Sequence, residues 1–282
     1  LLYFASSNCD TEAVDLTELP GPNMPPYDEA LVALHYNTGQ AAWKWRPREV
    51  DNDDLAFGAV PNLFEITLTI NQVATTVDVV GIGNKDGTYY VVDRDGVNEV
   101  SGIAHNHASA NTALPYWQTK VVDGGSFGGI IATASADQAK QRIYFTTAPQ
   151  GLPPSITPPQ YPNVHALDMN NGNVLWQNST SLGSYGPTSS IPGVVFGAST
   201  FPGVIYAFDA DNGARLFESA IIANNSIASG SVVVDGILMV GGGVGARHPN
   251  TGNFPDESTQ NSNLANPLTA LCVAGTPICQ VQ

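Results

Sequence analysis

The sequence predicts an all-β protein assembled from repeated antiparallel sheets, and three observations carry that prediction. A unit recurs along the chain: a short apolar strand ending in Asp, a tight turn ending in Gly, and an aromatic residue four positions later. In 282 residues there are 28 glycines and 20 prolines, the residues that frequent turns between short strands require. Apolar positions alternate with period two, and no stretch of any length shows the 3.6-residue period of an amphipathic helix.

The copies are Ala33-Leu34-His35-Tyr36-Asn37-Thr38-Gly39 with Trp43, Val91-Val92-Asp93-Arg94-Asp95-Gly96 with Val100, Ala166-Leu167-Asp168-Met169-Asn170-Asn171-Gly172 with Trp176, and Ala207-Phe208-Asp209-Ala210-Asp211-Asn212-Gly213 with Phe217. Ala270-Leu271-Cys272 is a remnant of a fifth. Each copy reads as a hairpin: Asp and Asn favour the turn, Gly accepts the positive φ that closes it, and the aromatic wedges between neighbouring sheets. Further strands are expected at residues 64–70, 77–82, 142–146 and 231–234, where apolar residues alternate or run together. Landmarks at 35, 93, 168, 209 and 272 fit four-stranded blades of roughly 40 residues, lengthened by insertions, in a β-propeller. Loops are expected at 10–29, 104–115, 149–162 and 246–266.

A formal charge of −15 opposes binding to phosphate backbones and anionic lipid surfaces, and it can steer a cationic protein, such as an electron acceptor, toward the surface. No run reaches the roughly 18 to 20 apolar residues of a membrane span. Cys272 and Cys279 enclose a Gly/Pro-containing loop that a disulfide can close, which points to an oxidising, extracellular compartment. Cys9 is then a free thiol or half of a bridge to a cysteine outside the chain. Asn178-Ser179-Thr180 and Asn224-Asn225-Ser226 match the N-glycosylation pattern and agree with secretion. The opening residues Leu1-Leu2-Tyr3-Phe4-Ala5 read as the middle of a buried strand, so upstream sequence is expected.

The unit Ala-Leu-Asp-x-x-x-Gly-x-x-x-Trp resembles the repeat of the pyrroloquinoline quinone (PQQ) propellers, a signature shared by dehydrogenases and by propellers without a cofactor. Three further segments resemble the quinoprotein alcohol dehydrogenases and their polyvinyl-alcohol-dehydrogenase-like relatives. Tyr3-Phe4-Ala5-Ser6-Ser7-Asn8 is similar to Tyr-Phe-Gly-Thr-Gly-Asn, whose Asn binds calcium beside the quinone; the resemblance implies that role for Asn8, although Ala5 and Ser7 replace both glycines. Asp54-Leu55-Ala56-Phe57-Gly58-Ala59-Val60-Pro61 is similar to Asp-x-Asp-Phe-Gly-x-x-Pro, whose second Asp is the expected general base. Here that position is Ala56, which cannot take a proton, and general-base catalysis is typically worth roughly 10²- to 10⁴-fold. Asp54 is the substitute base to consider: in an extended segment it shares a face with Ala56, though about 6 to 7 Å along the strand. Gly83-Asn84-Lys85-Asp86-Gly87-Thr88-Tyr89-Tyr90-Val91-Val92-Asp93-Arg94 resembles the stretch whose Lys reaches the quinone oxygens, which implies that cofactor-binding role for Lys85.

Gly124-Gly125-Ser126-Phe127-Gly128-Gly129 resembles the glycine-rich start of a blade in the same proteins and is expected to allow close backbone packing. The resemblance runs from Tyr3 to the end and matches the later half of an eight-bladed ring. It implies one partial propeller domain over 1–282, four blades and part of a fifth, lacking the N-terminal blades that would carry an adjacent-cysteine motif and an acidic calcium ligand. Its open faces would be covered by the missing half, by a separate chain or by a second copy.

Other constellations read as structural. His105-Asn106-His107 lacks a nearby Cys or carboxylate to complete a metal site, and Asp51, Asp53 and Asp54 lack the spacing of a calcium loop and read as a solvated loop. Tyr116-Trp117 and Trp43-Lys44-Trp45 read as blade packing. Two functions follow: a secreted PQQ- and calcium-dependent dehydrogenase of alcohols or polyols, inactive as this chain alone, or a non-catalytic extracellular propeller acting as a scaffold or binding protein. The Lys85 segment favours the first and Ala56 the second.

Overall fold

The computed structural model describes residues 1–7, 29–48, 51, 53–105, 114–126, 128–148, 162–180, 183–200, 203–220, 227–242 and 268–272. Among them there is no helix, and the strands form five antiparallel sheets in chain order. The first holds β1 (Leu2–Ala5), β2 (Leu31–Leu34) and β3 (Ala41–Trp45). The second holds β4 (Asn62–Ile70), β5 (Val73–Gly83), β6 (Thr88–Asp93) and β7 (Trp117–Lys120). The third comprises β8 (Ser135–Asp137), β9 (Arg142–Thr146), β10 (Val164–Asp168) and β11 (Val174–Asn178). The fourth comprises β12 (Ser189–Ile191), β13 (Val194–Ser199), β14 (Val204–Asp209) and β15 (Arg215–Glu218), and the fifth β16 (Val232–Val234), β17 (Ile237–Gly241) and β18 (Leu268–Cys272). Each sheet is a meander whose sequential strands pair, the arrangement of propeller blades.

The core is divided among the spaces between successive sheets. Leu31, Trp45, Val80 and Ile82 meet between the first and second, Tyr89, Ile143, Phe145 and Leu167 between the second and third, Tyr144, Trp176 and Phe208 between the third and fourth, and Ile205, Ile227 and Val240 between the fourth and fifth. Full burial of such side chains stabilises by roughly 1.5–3 kcal/mol each. These contacts are what make separate three- and four-stranded sheets one body.

The recurring unit has a specific mechanical role. The landmark carboxylate caps its own turn: Asp93, Asp168 and Asp209 each accept through Oδ1 from the amide two residues on, at 2.7–2.8 Å. The indole on the return strand then docks on the next sheet. Trp43 Nε1 donates to Arg94 O, Trp117 Nε1 to Met169 O and Trp176 Nε1 to Ala210 O, each at 3.0 Å. In every case the acceptor is the residue after the landmark Asp. The glycine of that turn makes room for the ring: a Cβ on Gly96, Gly172 or Gly213 would stand 2.4–2.5 Å from the docked Trp.

Two expectations are corrected here. The aromatic of the second copy is Trp117, which pairs with Val91 as Trp43 pairs with Ala33 and Trp176 with Ala166, whereas Val100 is 60 % exposed. An insertion over 94–116 separates turn from return strand and breaks the four-position spacing. Leu2–Ala5 do form a strand, but among the described residues β1 pairs with β2 alone, and Leu2 and Phe4 are exposed. The strands expected at 64–70, 77–82, 142–146 and 231–234 are present as β4, β5, β9 and β16. Most of the four expected loops, the Asn224 sequon and Cys279 lie outside the described residues.

Candidate functional site

Three connections converge beside the second sheet: residues 46–61, which lead from β3 to β4, the β5–β6 turn at 84–87, and residues 121–130, which follow β7. The β5–β6 turn is held tightly. Asn84 N donates to Thr88 O and Gly87 N to Asn84 O, both at 3.0 Å, and Asn84 Oδ1 accepts from Asp86 N at 3.0 Å. Asp86 Oδ1 accepts from Thr88 N at 2.8 Å and its Oδ2 from the Tyr90 hydroxyl at 2.6 Å, so the turn is capped at both ends.

The glycine-rich run wraps this turn with backbone alone, as its composition implies. Gly125 N donates to Lys85 O at 2.9 Å, and Ile130 N to Asn84 O at 2.9 Å. A Cβ on Gly124 or Gly129 would come within 2.0 or 2.1 Å of Lys85 O. No other residue type fits at that distance. The peptide carrying Lys85 is therefore fixed on two sides.

Lys85 and Asp54, found separately in the sequence, meet: Lys85 Nζ donates to Asp54 Oδ1 at 2.8 Å. The lysine side chain is 16 % exposed and the aspartate 49 %, so the pair lies at a surface with the cation shielded and the carboxylate open. Oδ2 of Asp54 has no protein partner among the described residues. The extended geometry that would place Asp54 on the face of Ala56 is absent, because Asp54 adopts a left-handed backbone with φ of 54°. Asp tolerates that region better than most residues. Strict side-chain alternation fails at that residue. Ala56 itself is fully buried and contributes only its carbonyl, which accepts from Lys85 N at 3.4 Å.

The acidic run is a surface loop held by its own hydrogen bonds, with Asp53 exposed and Asp54 half exposed. Asp51 accepts from Asp53 N at 2.9 Å and from Leu55 N at 2.5 Å, shaping the turn that presents Asp54. Burial pushes the Asp51 carboxyl up, but interaction with the Glu29 side chain, hydrogen bonds from the two amides and the Arg48 charge hold it below the usual carboxylate range. Burial and the Asp86 carboxylate push the Tyr90 hydroxyl well above its ordinary value, so it stays a donor.

Sequence reasoning missed Arg48. It donates through Nη1 to Leu55 O at 3.1 Å and through Nη2 to Asn84 Oδ1 at 3.0 Å, pairs with Asp86, and lies 3.6 Å from the buried Glu29. No motif marks it; the only signal was a cation just beyond the return strand β3. Asn84 Nδ2 is buried and has no hydrogen-bond partner among the described residues, whereas its Oδ1 accepts twice. Such a donor is costly unless an acceptor reaches it.

Asn8 lies outside the described residues, as does His107. His105 is buried with its ring 4.8 Å from that of Trp43, and no group of three metal-ligating side chains forms among the described residues. Trp43, Trp45, Tyr116 and Trp117 are all engaged in packing or docking. No helix among the described residues is long and apolar enough to cross a membrane.

Comparison of the sequence with protein families and with curated proteins gave no match. Solved structures do match. A quinohemoprotein alcohol dehydrogenase from Pseudomonas putida HK5 is 17% identical with a TM-score of 0.58 over 86% of this chain and 42% of its own. The quinohemoprotein alcohol dehydrogenase from Comamonas testosteroni is 18% identical, TM-score 0.54, over 85% and 42% respectively. A europium-containing methanol dehydrogenase is 17% identical, TM-score 0.56, over 86% and 48%. The chain thus spans less than half the length of these three proteins, and over that span it has the β-propeller fold of the quinoprotein alcohol dehydrogenases.

Proposed function

We propose that this chain contributes the quinone-facing cation and the proton acceptor of a PQQ-dependent dehydrogenase acting on alcohols or polyols. The observation that carries the reading is the 2.8 Å contact between Lys85 Nζ and Asp54 Oδ1, a cation and a carboxylate brought together beside a backbone-locked turn. The donor set suits an electron-rich carbonyl or carboxylate ligand: an ammonium at the surface, and next to it in the chain a buried amide donor, Asn84 Nδ2, with no partner among the described residues. A bound quinone supplies the two-electron acceptor that takes up the hydride of the substrate.

The residues of this chain do the rest. Lys85 Nζ presents a fixed positive charge where negative charge develops, without reorganisation during the reaction. Asp54 Oδ2, with no protein partner among the described residues and on a half-exposed side chain, receives the hydroxyl proton of the substrate, while Oδ1 stays on Lys85. Asn8 would be the calcium ligand that its motif implies.

Further blades, in the same polypeptide or another chain, cover the outer faces, where Leu2 and Phe4 at one end and Val232 and Val234 at the other stay exposed. Secretion is supported by the Cys272–Cys279 spacing, and the charge of −15 suits a cationic electron acceptor. Of the two sequons, Asn178 is committed to a 2.6 Å bond to Gly213 O with Thr180 buried, so Asn224 is the better glycan acceptor.

A second reading has its own observation. Ala56 is sealed in the core where the resembling enzymes carry their base, which favours a non-catalytic propeller acting as a scaffold or binding protein. Alcohol-dependent dye reduction by the full-length protein with PQQ and Ca²⁺ separates the two. The dehydrogenase reading expects turnover that Asp54→Asn lowers by roughly 10²- to 10⁴-fold. No reduction by the unmodified, cofactor-loaded protein leaves the scaffold.

A further inference from the structure

We propose that Arg48 is the positioning residue of the Lys85–Asp54 pair: one guanidinium ties the loop that carries the carboxylate to the turn that carries the cation. The inference rests on the reading of that pair as the reactive one.

The two halves of the pair come from segments that are 31 positions apart and belong to different connections. Their own hydrogen bonds organise each segment separately: Asp51 shapes 53–55, and Asp86 with Asn84 shapes 84–88. Among the described residues, the hydrogen bonds that join 53–56 to 84–88 are the Lys85–Asp54 bond, a long Lys85 N to Ala56 O bond at 3.4 Å, and those of Arg48. Arg48 grips residues immediately flanking the pair on both sides, Leu55 after Asp54, and Asn84 and Asp86 on either side of Lys85.

Charge partition adds to the geometry. Glu29, Asp51 and Asp86 also lie in this corner, and Arg48 acts on all three. With Asp86 satisfied by Arg48, the Tyr90 hydroxyl and Thr88 N, the Lys85 ammonium is left to Asp54. A guanidinium suits this task because its planar fork reaches acceptors in two directions at once. An ammonium on a flexible stem does not. Asn84 gains from the same grip: with Oδ1 accepting from Arg48 Nη2 and from Asp86 N, the amide orientation is set and Nδ2 is the face left over.

The test follows the Lys85 side chain directly in the cofactor-free, full-length protein, by carbon-proton correlation spectra with ¹³Cε-labelled lysine. Lys85→Arg identifies the resonance by its loss. In the unmodified protein, the bond to Asp54 displaces the Lys85 signal from that of the exposed lysines, and Asp54→Asn removes that displacement. The expectation for Arg48→Gln and for Arg48→Lys alike is a displacement reduced at least twofold, in proteins whose near-ultraviolet circular dichroism stays native. A full displacement in either folded variant overturns the proposal, and its retention in Arg48→Lys alone would mean that charge suffices and the fork does not matter. Should both Arg48 variants fail to fold, Asp86→Asn, which keeps Arg48 but weakens its grip on the turn, is judged by the same displacement. In the cofactor-loaded enzyme, Arg48→Lys is expected to lower kcat about tenfold with KM nearly unchanged, as misplacement of reacting groups does. Absence of turnover in the unmodified protein would remove the dehydrogenase reading, while the resonance of Lys85 still decides the role of Arg48.

Discussion

Lys85 Nζ and Asp54 Oδ1 stand 2.8 Å apart although 31 positions separate the two residues, and the carboxylate is half exposed. Under the proposed function, the contact supplies what Ala56 cannot offer, a carboxylate next to the cation. A pair of this exposure is worth less than about 1 kcal/mol to folding. Asp54→Asn is therefore expected to shift the urea unfolding free energy by no more than that, leaving the pair to be explained by function. A loss of several kcal/mol would make it a structural tie.

The backbone around Lys85 gives a sharper stability test. Gly39 has a φ of 71° but open space around it, so Gly39→Ala is expected to cost only about 1 kcal/mol. Gly124 has no positive φ, yet a Cβ there would sit 2.0 Å from Lys85 O and 2.3 Å from the Asp86 backbone. Backbone cannot swing aside as a flexible side chain can, so Gly124→Ala is expected to cost at least about 3 kcal/mol. Equal urea midpoints for the two variants would contradict this account of the glycine run.

Reassignment of the second aromatic from Val100 to Trp117 is tested by a pair of substitutions. Trp117→Phe removes the indole N–H that Met169 O accepts and is expected to cost about 1–2 kcal/mol. Val100→Ala, at a side chain 60 % exposed, is expected to stay within about 0.5 kcal/mol. The reverse ranking in thermal or urea unfolding would restore Val100.

His165 links stability to pH. Its ring is fully buried, accepts from Gln177 Nε2 at Nδ1 and donates from Nε2 to Thr147 Oγ1, and burial holds its pKa down to about 3 against an ordinary 6.5. Between those values the unfolded chain binds a proton that the folded chain refuses. Stability from this group is thus complete above pH 6.5 and declines as pH falls toward 3, by up to about 1.4 kcal/mol per unit. His165→Gln is expected to reduce the drop in unfolding free energy between pH 7 and 5 by about 2 kcal/mol. An unchanged drop would show that the histidine is protonated in place.

Blade architecture was readable because the unit can encode both a capped turn and a docking indole in a few residues. Asp168, Gly172 and Trp176 do so within one short segment, and the structure uses all three. Trp117 escaped because the insertion after Asp93 removes it from the spacing, although its indole docks as the others do. At the site, Lys85 was marked by its surrounding motif and Asp54 by the neighbouring Phe57-Gly58 segment. Their meeting was not readable, because a single left-handed φ at Asp54 overrides the alternation expected of an extended strand. Arg48 was invisible for a related reason: its partners, Leu55 O, Asn84 and Asp86, come from two other segments that only the fold assembles.

Whether Lys85 faces a quinone is measured most directly by the affinity of the full-length protein for PQQ in the presence of Ca²⁺, followed by cofactor absorbance after gel filtration. The account predicts that cofactor co-elutes with the unmodified protein and that Lys85→Met weakens its binding at least about tenfold, the loss expected from one charge-assisted contact of about 1.5–3 kcal/mol. Equal retention by the Lys85→Met variant, or no retention by either protein, would contradict it.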